Sequence, residues 1–445
     1  MYLRHTFTTS TLSILALINL YTPQALAHEP LSPSSPWMLG DWNGSRGELA
    51  DQGVDLEFSY LSEIAANVHG GASHHTARYA DQWSAGAKLD LSELLSWKNA
   101  EAEIRLSNRN GRGLDEDALN DRRVGGFGAT QEIHGRGSVT RLSQFWLSKG
   151  WIDNKLNVKI GRFTVGDEFA TADCAFQNLS FCGSQPGNYV NDIYNSPISS
   201  WAVRLQYALA DDLVAKIAAY NVDPSSLDND NGLKLRTHGT SGTMVPVELV
   251  WTPRIGKLPG EYRVGYFKNT VNRPDVLNDV NGQPAALTQN QYRVHDGRSG
   301  WWLNAKQQIC SKNNDQSRGL VLAASLSFQD QATTPVDSYM HISLVYKGPF
   351  DFRPLDQLGL GLSRVHASDQ YLENAQFKNQ VNGVYFDSPS YIPEQHTSYQ
   401  AELNYRIQAT NWLHLMPNIQ YIRNPGNVRE VENAVVIGLQ VGSSF

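Results

Sequence analysis

Charged, amide and aromatic side chains recur at alternate positions of short apolar segments, a spacing that sets them on one face of an extended strand. Arginine and glutamate together donate to and accept from hydroxyl groups without a field of one sign, and an aromatic face can cover the C–H face of a sugar ring. A channel for phosphate or dicarboxylates should instead show an excess of Arg and Lys. The set therefore predicts contact with neutral polyols. For each single residue the alternative is an ion pair that only stabilises the surrounding structure. Its members are Glu103, Arg105, Arg109, Gln144, Trp146, Arg204, Glu248, Arg263 and Glu402.

A second group of candidate residues lies in the segment 165–198, which contains Cys174 and Cys182 eight positions apart. In an oxidising compartment this pair can close a short loop, contributing ~2–3 kcal/mol in the chain-entropy account of disulfides. A loop stiffened in this way is suited to bend into a channel and narrow it, while an exterior loop protected from proteases is the alternative. The side chains that it would carry into the channel are Phe176, Gln177 and Phe181.

Motifs for other kinds of chemistry are weaker. The sequence has no Gly-x-Ser-x-Gly elbow, and no His is offset from a Ser in a recognisable nucleophile arrangement. His74 and His75 are neighbours whose side chains diverge in an extended chain, and the acidic run at 228–232 lacks the spacing of a calcium loop. Carboxylates are numerous enough for a glycosidase pair, so an outer-membrane hydrolase is the alternative from another class. We predict no enzymatic activity, no metal site and no cofactor, and we assign no role to Cys310.

The elements that must position these residues are strands. From Val54 onward, apolar residues recur at every second position in runs separated by turn-rich segments, and the last run ends on Phe445 with Ile437 and Leu439 on one face. The sixteen predicted strands are 54–66, 81–91, 100–109, 138–151, 155–164, 199–209, 212–222, 243–252, 260–270, 299–308, 318–330, 336–347, 356–366, 397–408, 411–423 and 433–445.

Short and long connections alternate along this series. The short ones include 210–211 and 409–410, whereas the long ones include 165–198 and 271–298. An even number of strands, with short turns at one end and long loops at the other, is typical of an outer-membrane barrel whose first and last strands pair to leave no open edge. The predicted fold class is therefore all-β, a transmembrane antiparallel up-and-down β-barrel of 16 strands. A soluble β-sandwich is the alternative.

A barrel of this strand number leaves an aqueous channel and is surrounded by outer-membrane lipid and lipopolysaccharide. The terminal aromatic Phe445 is a feature that bacterial barrel-assembly machinery favours, so this machinery is a predicted partner of the last strand. Trp201, Trp251 and Trp301 face outward in the predicted strands. They would lie in the interfacial aromatic girdles or at a subunit contact, which leaves a homo-oligomer open.

The N-terminus predicts export through the inner membrane. A basic start at Arg4, an apolar stretch and the small-x-small sequence before His28 are typical of a cleaved secretory signal. Removal of Arg4 with this signal changes the formal net charge from −7 to −8, and the absence of a basic patch argues against nucleic acid as a partner. The predicted organisation is a signal peptide at 1–27, a periplasmic segment at 28–53 and a transmembrane barrel at 54–445.

Four stretches resemble the carbohydrate-selective porins of the OprB type from Gram-negative outer membranes. The resemblance implies a barrel of sixteen strands that passes glucose and similar small sugars passively into the periplasm. It also implies a short periplasmic helix near 42–52, for which Asp41 would be the N-cap. The four stretches are LGDWNGSRGELADQGVDLEFSYLSEIAANVHGG, LNVKIGRFTVGDEFA with the following CAFQNLSFCG, YQAELNYRIQATNWLHLMPNIQYIRNPG, and the terminal strand.

In this family, arginines, acids and aromatics of the wall and loops form the constriction of the channel. The resemblance carries that role to Glu103, Arg105, Arg109 and the Cys174–Cys182 loop. Gln144 departs from the pattern, because an acidic residue is expected there, so the sugar preference could differ from glucose. A general diffusion porin without sugar preference is the remaining alternative, since strand count alone does not separate the two.

Overall fold

A computed structural model describes residues 29–190 and 192–445, so the signal peptide predicted at 1–27 lies outside the described residues. In this part of the chain sixteen antiparallel strands close a barrel, because the first strand pairs with both the second and the last. The predicted fold class is confirmed. The barrel strands β1–β16 are Val54–His69, Ala77–Asp90, Ala100–Gly111, Thr140–Trp151, Leu156–Phe163, Ser200–Ala210, Leu213–Val222, Gly242–Trp251, Leu258–Asn269, Arg298–Gln308, Gly319–Gln329, Val336–Lys347, Gln357–Ala367, Thr397–Gln408, Leu413–Arg423 and Ala434–Ser444.

The two faces of the wall follow the alternation in the sequence. Leu249, Ile342 and Ile437 point outward and are 43%, 49% and 48% exposed, as expected of side chains that meet lipid. Between them along the strands, polar residues such as Glu248 and Gln440 point inward and are buried. The barrel thus carries its apolar surface outside and its polar groups inside.

The two ends of the barrel differ. At one end, here the turn end, β6 and β7 are joined by residues 211–212, and β14 and β15 by residues 409–412. At the other, the loop end, long connections at 112–139 and 164–199 join β3 to β4 and β5 to β6. The loop end also carries the connections 223–241, 270–297 and 368–396.

The segment before β1 packs at the turn end against the last strand. The main-chain N–H of Met38 donates to the carbonyl oxygen of Ser444 (2.8 Å). Helix α1, Ser45–Asp51, is shorter than the predicted 42–52, and its N-cap is Gly44 rather than Asp41. Asp41 instead accepts a hydrogen bond from the N–H of Gly44 (3.1 Å), because the chain turns there before the helix begins. The expected short helix is therefore present, with a corrected start.

Other elements lie in the connections, and the sequence analysis did not predict them. They are the α-helices α2–α5, Leu91–Leu95, Gln185–Tyr189, Ala285–Thr288 and Asp369–Asn382; the π-helix Asp115–Leu119; the 3₁₀ turns Leu179–Phe181, Pro224–Leu227, Asn229–Asn231 and Pro425–Asn427; and the short strands Arg254–Ile255, Arg273–Asp279 and Tyr292–His295. Among the described residues, none of the helices has the length and apolar character needed to cross a bilayer.

Candidate functional site

The loop 164–199 folds into the lumen and crosses it, as the sequence predicted for this segment. Its main chain is held by inward side chains of distant strands. The N–H of Ala170 donates to Glu248 Oε2 (2.8 Å), and Asn304 Nδ2 donates to the carbonyl oxygen of Ala170 (2.9 Å). Further along the loop, Asn404 Nδ2 donates to the carbonyl oxygen of Ala175 (3.0 Å). We call residues 164–199 the narrowing loop.

Glu402 of β14 is one of the two acidic anchors of this loop. Its carboxylate accepts the main-chain N–H groups of Gln177 (3.0 Å) and Asn178 (2.7 Å), one on each oxygen. Asn404 Nδ2 adds a third hydrogen bond at 2.9 Å. Because Glu402 is only 1% exposed, these donors replace the water that an isolated carboxylate would require.

Glu248 of β8 is the second acidic anchor. In addition to the N–H of Ala170, its carboxylate accepts Trp302 Nε1 (2.8 Å) and Arg263 Nη1 (3.0 Å), and Lys216 Nζ lies 3.7 Å away. Two cations surround one buried carboxylate, so the charge is compensated inside the wall. Two of the predicted residues, Glu248 and Arg263, thus form one network that fixes the first part of the narrowing loop.

The middle of the narrowing loop is held by its disulfide and by aromatic packing. Cys174 and Cys182 are bonded to each other, which confirms the predicted pair. The rings of Phe176 and Phe181 lie 4.9 Å apart, and both side chains are buried against the wall. Gln177 is also buried, and its Nε2 donates to the carbonyl oxygen of Ile64 (3.1 Å). The structure therefore places Phe176, Gln177 and Phe181 as anchors of the loop.

The loop 112–139 enters the lumen as well and braces the narrowing loop. Main-chain hydrogen bonds join Glu132 N–H to the carbonyl oxygen of Gln177 (2.9 Å) and Leu179 N–H to that of Ala129 (2.9 Å). Gln131 Nε2 donates to the carbonyl oxygen of Glu63 in β1 (2.9 Å). This second inward loop was missed in the sequence, where its polar run carries no signal of an inward path.

The wall facing these loops carries charges of both signs. Arg105 Nη2 lies 2.5 Å from Glu57 Oε2 and 2.8 Å from Glu103 Oε1, so one guanidinium bridges two acids. Arg109 is buried, and its Nε donates to Gln82 Oε1 (2.8 Å). The charge of Arg105 is therefore neutralised by the two acids beside it, and the three side chains together, which we call the mixed-charge wall, present donors from the arginine and acceptors from the acids.

The remaining predicted wall residues contact the start of the narrowing loop. Gln144 Nε2 donates to Asp167 Oδ2 (2.5 Å), and Arg204 Nε lies 3.1 Å from Glu168 Oε2. Lys159 bonds the other oxygen of Glu168 (2.6 Å), and its Nζ lies 3.7 Å from the centre of the Trp146 ring. The sequence-predicted set therefore lies in the lumen and is divided between loop anchors and the mixed-charge wall.

Burial and charge act differently on the two acids at the start of the loop. Burial raises the pKa of Asp167, and its hydrogen bond with Thr164 opposes that rise only in part. Burial would also raise the pKa of Glu168, but Lys159 and Arg204 outweigh it and the pKa is lowered. Glu168 is thus held as an anion, and it locks the loop to two basic residues of the wall.

Two cavities lie on either side of the narrowing loop, and Thr171, Ala172 and Cys174 line both. The cavity towards the loop end has a volume of about 290 Å³, and the one towards the turn end about 170 Å³. The outer cavity is lined on its polar side by Gln82, Arg109, Glu132, His134, Arg136 and Asp167. The inner cavity is lined on its polar side by Asp173, Glu261, Asn304, Lys306, His341 and Arg406.

Several residues of the wall and the cavities were missed in the sequence. Glu57 and Gln82 lie at inward positions of β1 and β2, so the alternation of those strands was a usable signal. Glu132, Arg136 and Asp167 lie in loops, where no periodicity reports the direction of a side chain. Within the described residues, no group of three or more His, Cys, Asp or Glu side chains is arranged to hold a metal ion.

Known proteins resemble the chain over almost its whole length. Porin B of Pseudomonas aeruginosa is 46% identical over 426 residues, which cover 95% of this chain and 94% of that protein. QuiX of Acinetobacter baylyi, named as a candidate porin, is 36% identical over 454 residues and covers 100% of both chains. The high-pH structure of OprB from Pseudomonas putida matches with a TM-score of 0.92 and 45% identity, covering 94% of this chain and 100% of that one.

The sequence model of a family described as "Carbohydrate-selective porin, OprB family" matches residues 74–445. This range begins just before β2 and includes the narrowing loop, both acidic anchors, and Glu103 and Arg105 of the mixed-charge wall. The relatives and the family are porins, and the solved structure has the same closed barrel. The chain belongs to the carbohydrate-selective OprB family of porins, and it is a channel of the bacterial outer membrane.

Proposed function

We propose that the channel lets small neutral sugars, monosaccharides of the size of glucose, diffuse passively into the periplasm. The observation that supports this most is the narrowing loop, which the acidic anchors Glu248 and Glu402 hold in the lumen opposite the mixed-charge wall. In this proposal the loop end faces the cell exterior and the turn end faces the periplasm, as in other barrels of this construction.

The selectivity of the proposed channel comes from hydrogen bonding in a narrowed passage. Arg105 with Glu57 and Glu103 offers donors and acceptors within one small area, which suits the many hydroxyl groups of a sugar. The neighbouring opposite charges largely cancel, so neither a cation nor an anion gains strongly from entering. A neutral polyol can exchange water for these groups at little cost in desolvation.

Transport through the proposed channel is passive, because the narrowing loop is fixed to the wall. The narrowing loop is held by hydrogen bonds to β8, β10 and β14, so in this proposal it stays in place while the sugar passes. A static passage adds no energy of its own, and the net flux therefore follows the concentration gradient of the sugar. In our proposal, consumption of the sugar inside the cell maintains that gradient.

The test is a titration of glucose against single-channel current with the folded protein in a planar bilayer. We expect a concentration-dependent block by glucose that a charged solute of similar size does not cause. Arg105→Ala combined with Arg109→Ala should increase conductance and weaken the block, because in this proposal both side chains line the passage. Arg254→Gln, which removes an exposed arginine from the turn end, is the matched control and should behave as the unmodified protein.

The outcomes separate the alternatives. Open channels without glucose block would show a general diffusion porin, and the proposal of sugar selectivity would be abandoned. Folded protein that forms no channels would contradict the proposal altogether and favour an outer-membrane hydrolase. Unchanged conductance and block in the double variant would show that Arg105 and Arg109 do not line the passage.

The barrel-assembly machinery is proposed as a partner along with this function. The last strand, which ends at Phe445, is the segment that we expect the barrel-assembly machinery to bind. The ring of Phe445 lies 4.9 Å from that of Phe58 in β1, so the terminal aromatic closes the seam of the finished barrel. Outward Trp201 and Trp301 near the loop end and Trp251 near the turn end fit the two interfacial girdles, and a homo-oligomer remains a separate prediction.

A further inference from the structure

Two arginines lie on the outward face of the barrel near its loop end. Arg364 belongs to β13 and Arg423 is the last residue of β15, and both are cross-strand partners of Tyr399 in β14. Cross-strand partners share a face, and the outward side chains next to them, Leu362 and Tyr421, are 51% and 46% exposed. The three residues therefore form one row, Arg–Tyr–Arg, that faces lipid rather than the lumen.

Neither guanidinium has an acidic partner among the residues that the structure describes. Arg364 Nη1 donates to Ser338 Oγ at 3.3 Å, which is a neutral contact. The guanidinium of Arg423 lies 5.7 Å from the centre of the Tyr399 ring, so this cation is positioned by an aromatic face. Asp337, a carboxylate of the neighbouring strand β12, pairs with His366 (2.8 Å).

A charged side chain on the lipid face is unfavourable at the bilayer midplane and is tolerated near the interface, where it reaches the headgroups. Arginine is suited to such a position because its planar fork matches the oxygens of a phosphate in a bidentate way. Adjacent strands lie about 4.8 Å apart, so the main chains of Arg364 and Arg423, two strands apart, are about 10 Å from each other. Two long side chains can converge from that distance on one phosphorylated headgroup.

We propose that Arg364, Tyr399 and Arg423 form a binding site for the phosphorylated headgroup of a glycolipid in the outer leaflet. The charge argues for this partner, because two cations without acids on a lipid-facing surface are compensated only by an anion that the membrane supplies. The row lies outside the wall, so the site does not depend on sugar selectivity. It depends on the proposed orientation, with the loop end towards the cell exterior.

The site is tested by titrating lipid A carrying both phosphates into the delipidated, folded protein and measuring binding by native mass spectrometry. We expect binding to the unmodified protein and a loss of affinity of tenfold or more in Arg364→Gln combined with Arg423→Gln. Lipid A without phosphates should bind the unmodified protein as weakly as the intact lipid binds the double variant. Lys149→Gln is the matched control, because Lys149 faces outward at the turn end and should leave the affinity within twofold.

Three results would overturn the proposal. They are equal affinity of the double variant and the unmodified protein for the phosphorylated lipid, equal binding of the dephosphorylated lipid, and displacement by inorganic phosphate at the same concentration. Single-channel conductance and glucose response serve as the folding control and should not change in the double variant. This measurement also separates the two proposals, since a protein that shows no glucose block can still bind the lipid.

Discussion

Glu402 offers the sharpest test of how the narrowing loop is held. Its carboxylate accepts the main-chain N–H groups of Gln177 and Asn178 at 3.0 and 2.7 Å, and it is buried between the wall and the loop. The replacement Glu402→Ala removes both acceptors and leaves two main-chain donors facing a space of side-chain size. No hydrogen bond between barrel strands is lost, because the side chain takes no part in the ladder.

The free energy with which Glu402 holds the narrowing loop follows from these contacts. A hydrogen bond to a charged group contributes about 1.5–3 kcal/mol, so the two anchoring bonds contribute about 3–6 kcal/mol when nothing replaces them. Water in the lumen can satisfy part of the freed donors, which lowers the expected loss to about 2–3 kcal/mol. Because about 1.4 kcal/mol is a factor of ten, the ratio of detached to attached loop should rise by about 30- to 150-fold.

The assay is single-channel recording in a planar bilayer. A loop that detaches more often should give a larger mean conductance, with added fluctuations between a narrow and a wide level, and a weaker block by glucose. Thermal unfolding of the barrel, followed by the heat-dependent shift of its band on a gel, should remain unchanged. The perturbation is therefore expected in the channel and not in the wall.

The matched control for this variant is Gln400→Ala. Gln400 is inward and buried on the same strand, two positions earlier, but it bonds Ser363 and Ser398 of the wall. Its loss should leave the conductance levels as they are. If Glu402→Ala gives the same conductance, noise and glucose block as the control, the carboxylate does not hold the loop and the reasoning from these two hydrogen bonds is refuted.

Three further changes probe other parts of the molecule. Cys174→Ser with Cys182→Ser should speed hydrogen exchange in the narrowing loop, because the bond contributes ~2–3 kcal/mol by closing a short loop, while unchanged exchange would speak against this. Arg46→Gln should speed exchange in the last strand, because it removes a hydrogen bond of about 1.5–3 kcal/mol to the carbonyl oxygen of Phe445. Burial raises the pKa of Asp115 from 3.8 to about 6, so the folded loop 112–139 binds this proton more tightly than the unfolded loop does. The local stability of this loop should therefore fall as the pH rises from 4 to 6. In Asp115→Asn this pH dependence, measured by exchange corrected for intrinsic rates, should disappear.

Most of the wall could be predicted from sequence, because lipid outside and water inside impose a two-residue period on every strand. The starts of strands were less certain, and β2 begins at Ala77 rather than at 81, since only Tyr79 among its first four residues is a large apolar side chain and the alternation is weak there. Helix α5 was missed although its ends carry ordinary signals. Ser368 precedes the helix, and Gly383 follows it with φ of +61°. Those signals lay in a long connection that the strand pattern had already assigned to a loop.

The site could be predicted only as far as the strands extend. The two-residue alternation along the strands placed Arg105 and Glu248 inside the barrel, and the cysteine pair identified the loop that enters the lumen. The partners could not be found in the same way, because Glu402 and Gln177 are separated by 225 positions in the chain. Nothing local in either segment reports that contact, which exists only once the barrel has closed around the loop.

In the lumen, the charged side chains that hold the narrowing loop also set the charge of the passage. Glu248 holds the narrowing loop through Ala170, and it is itself compensated by Arg263, while Glu402 holds the loop from another strand. A substitution intended to change the charge of the passage at such a position therefore also changes how firmly the loop is held. Arg105 pairs with Glu57 and Glu103 of the wall and, among the described residues, donates no hydrogen bond to the narrowing loop, so it reaches the loop only through its charge, which acts on Asp167. In the proposed sugar channel, substitutions at Arg105 should thus change the passage while the narrowing loop stays attached, whereas substitutions at the anchors should affect both.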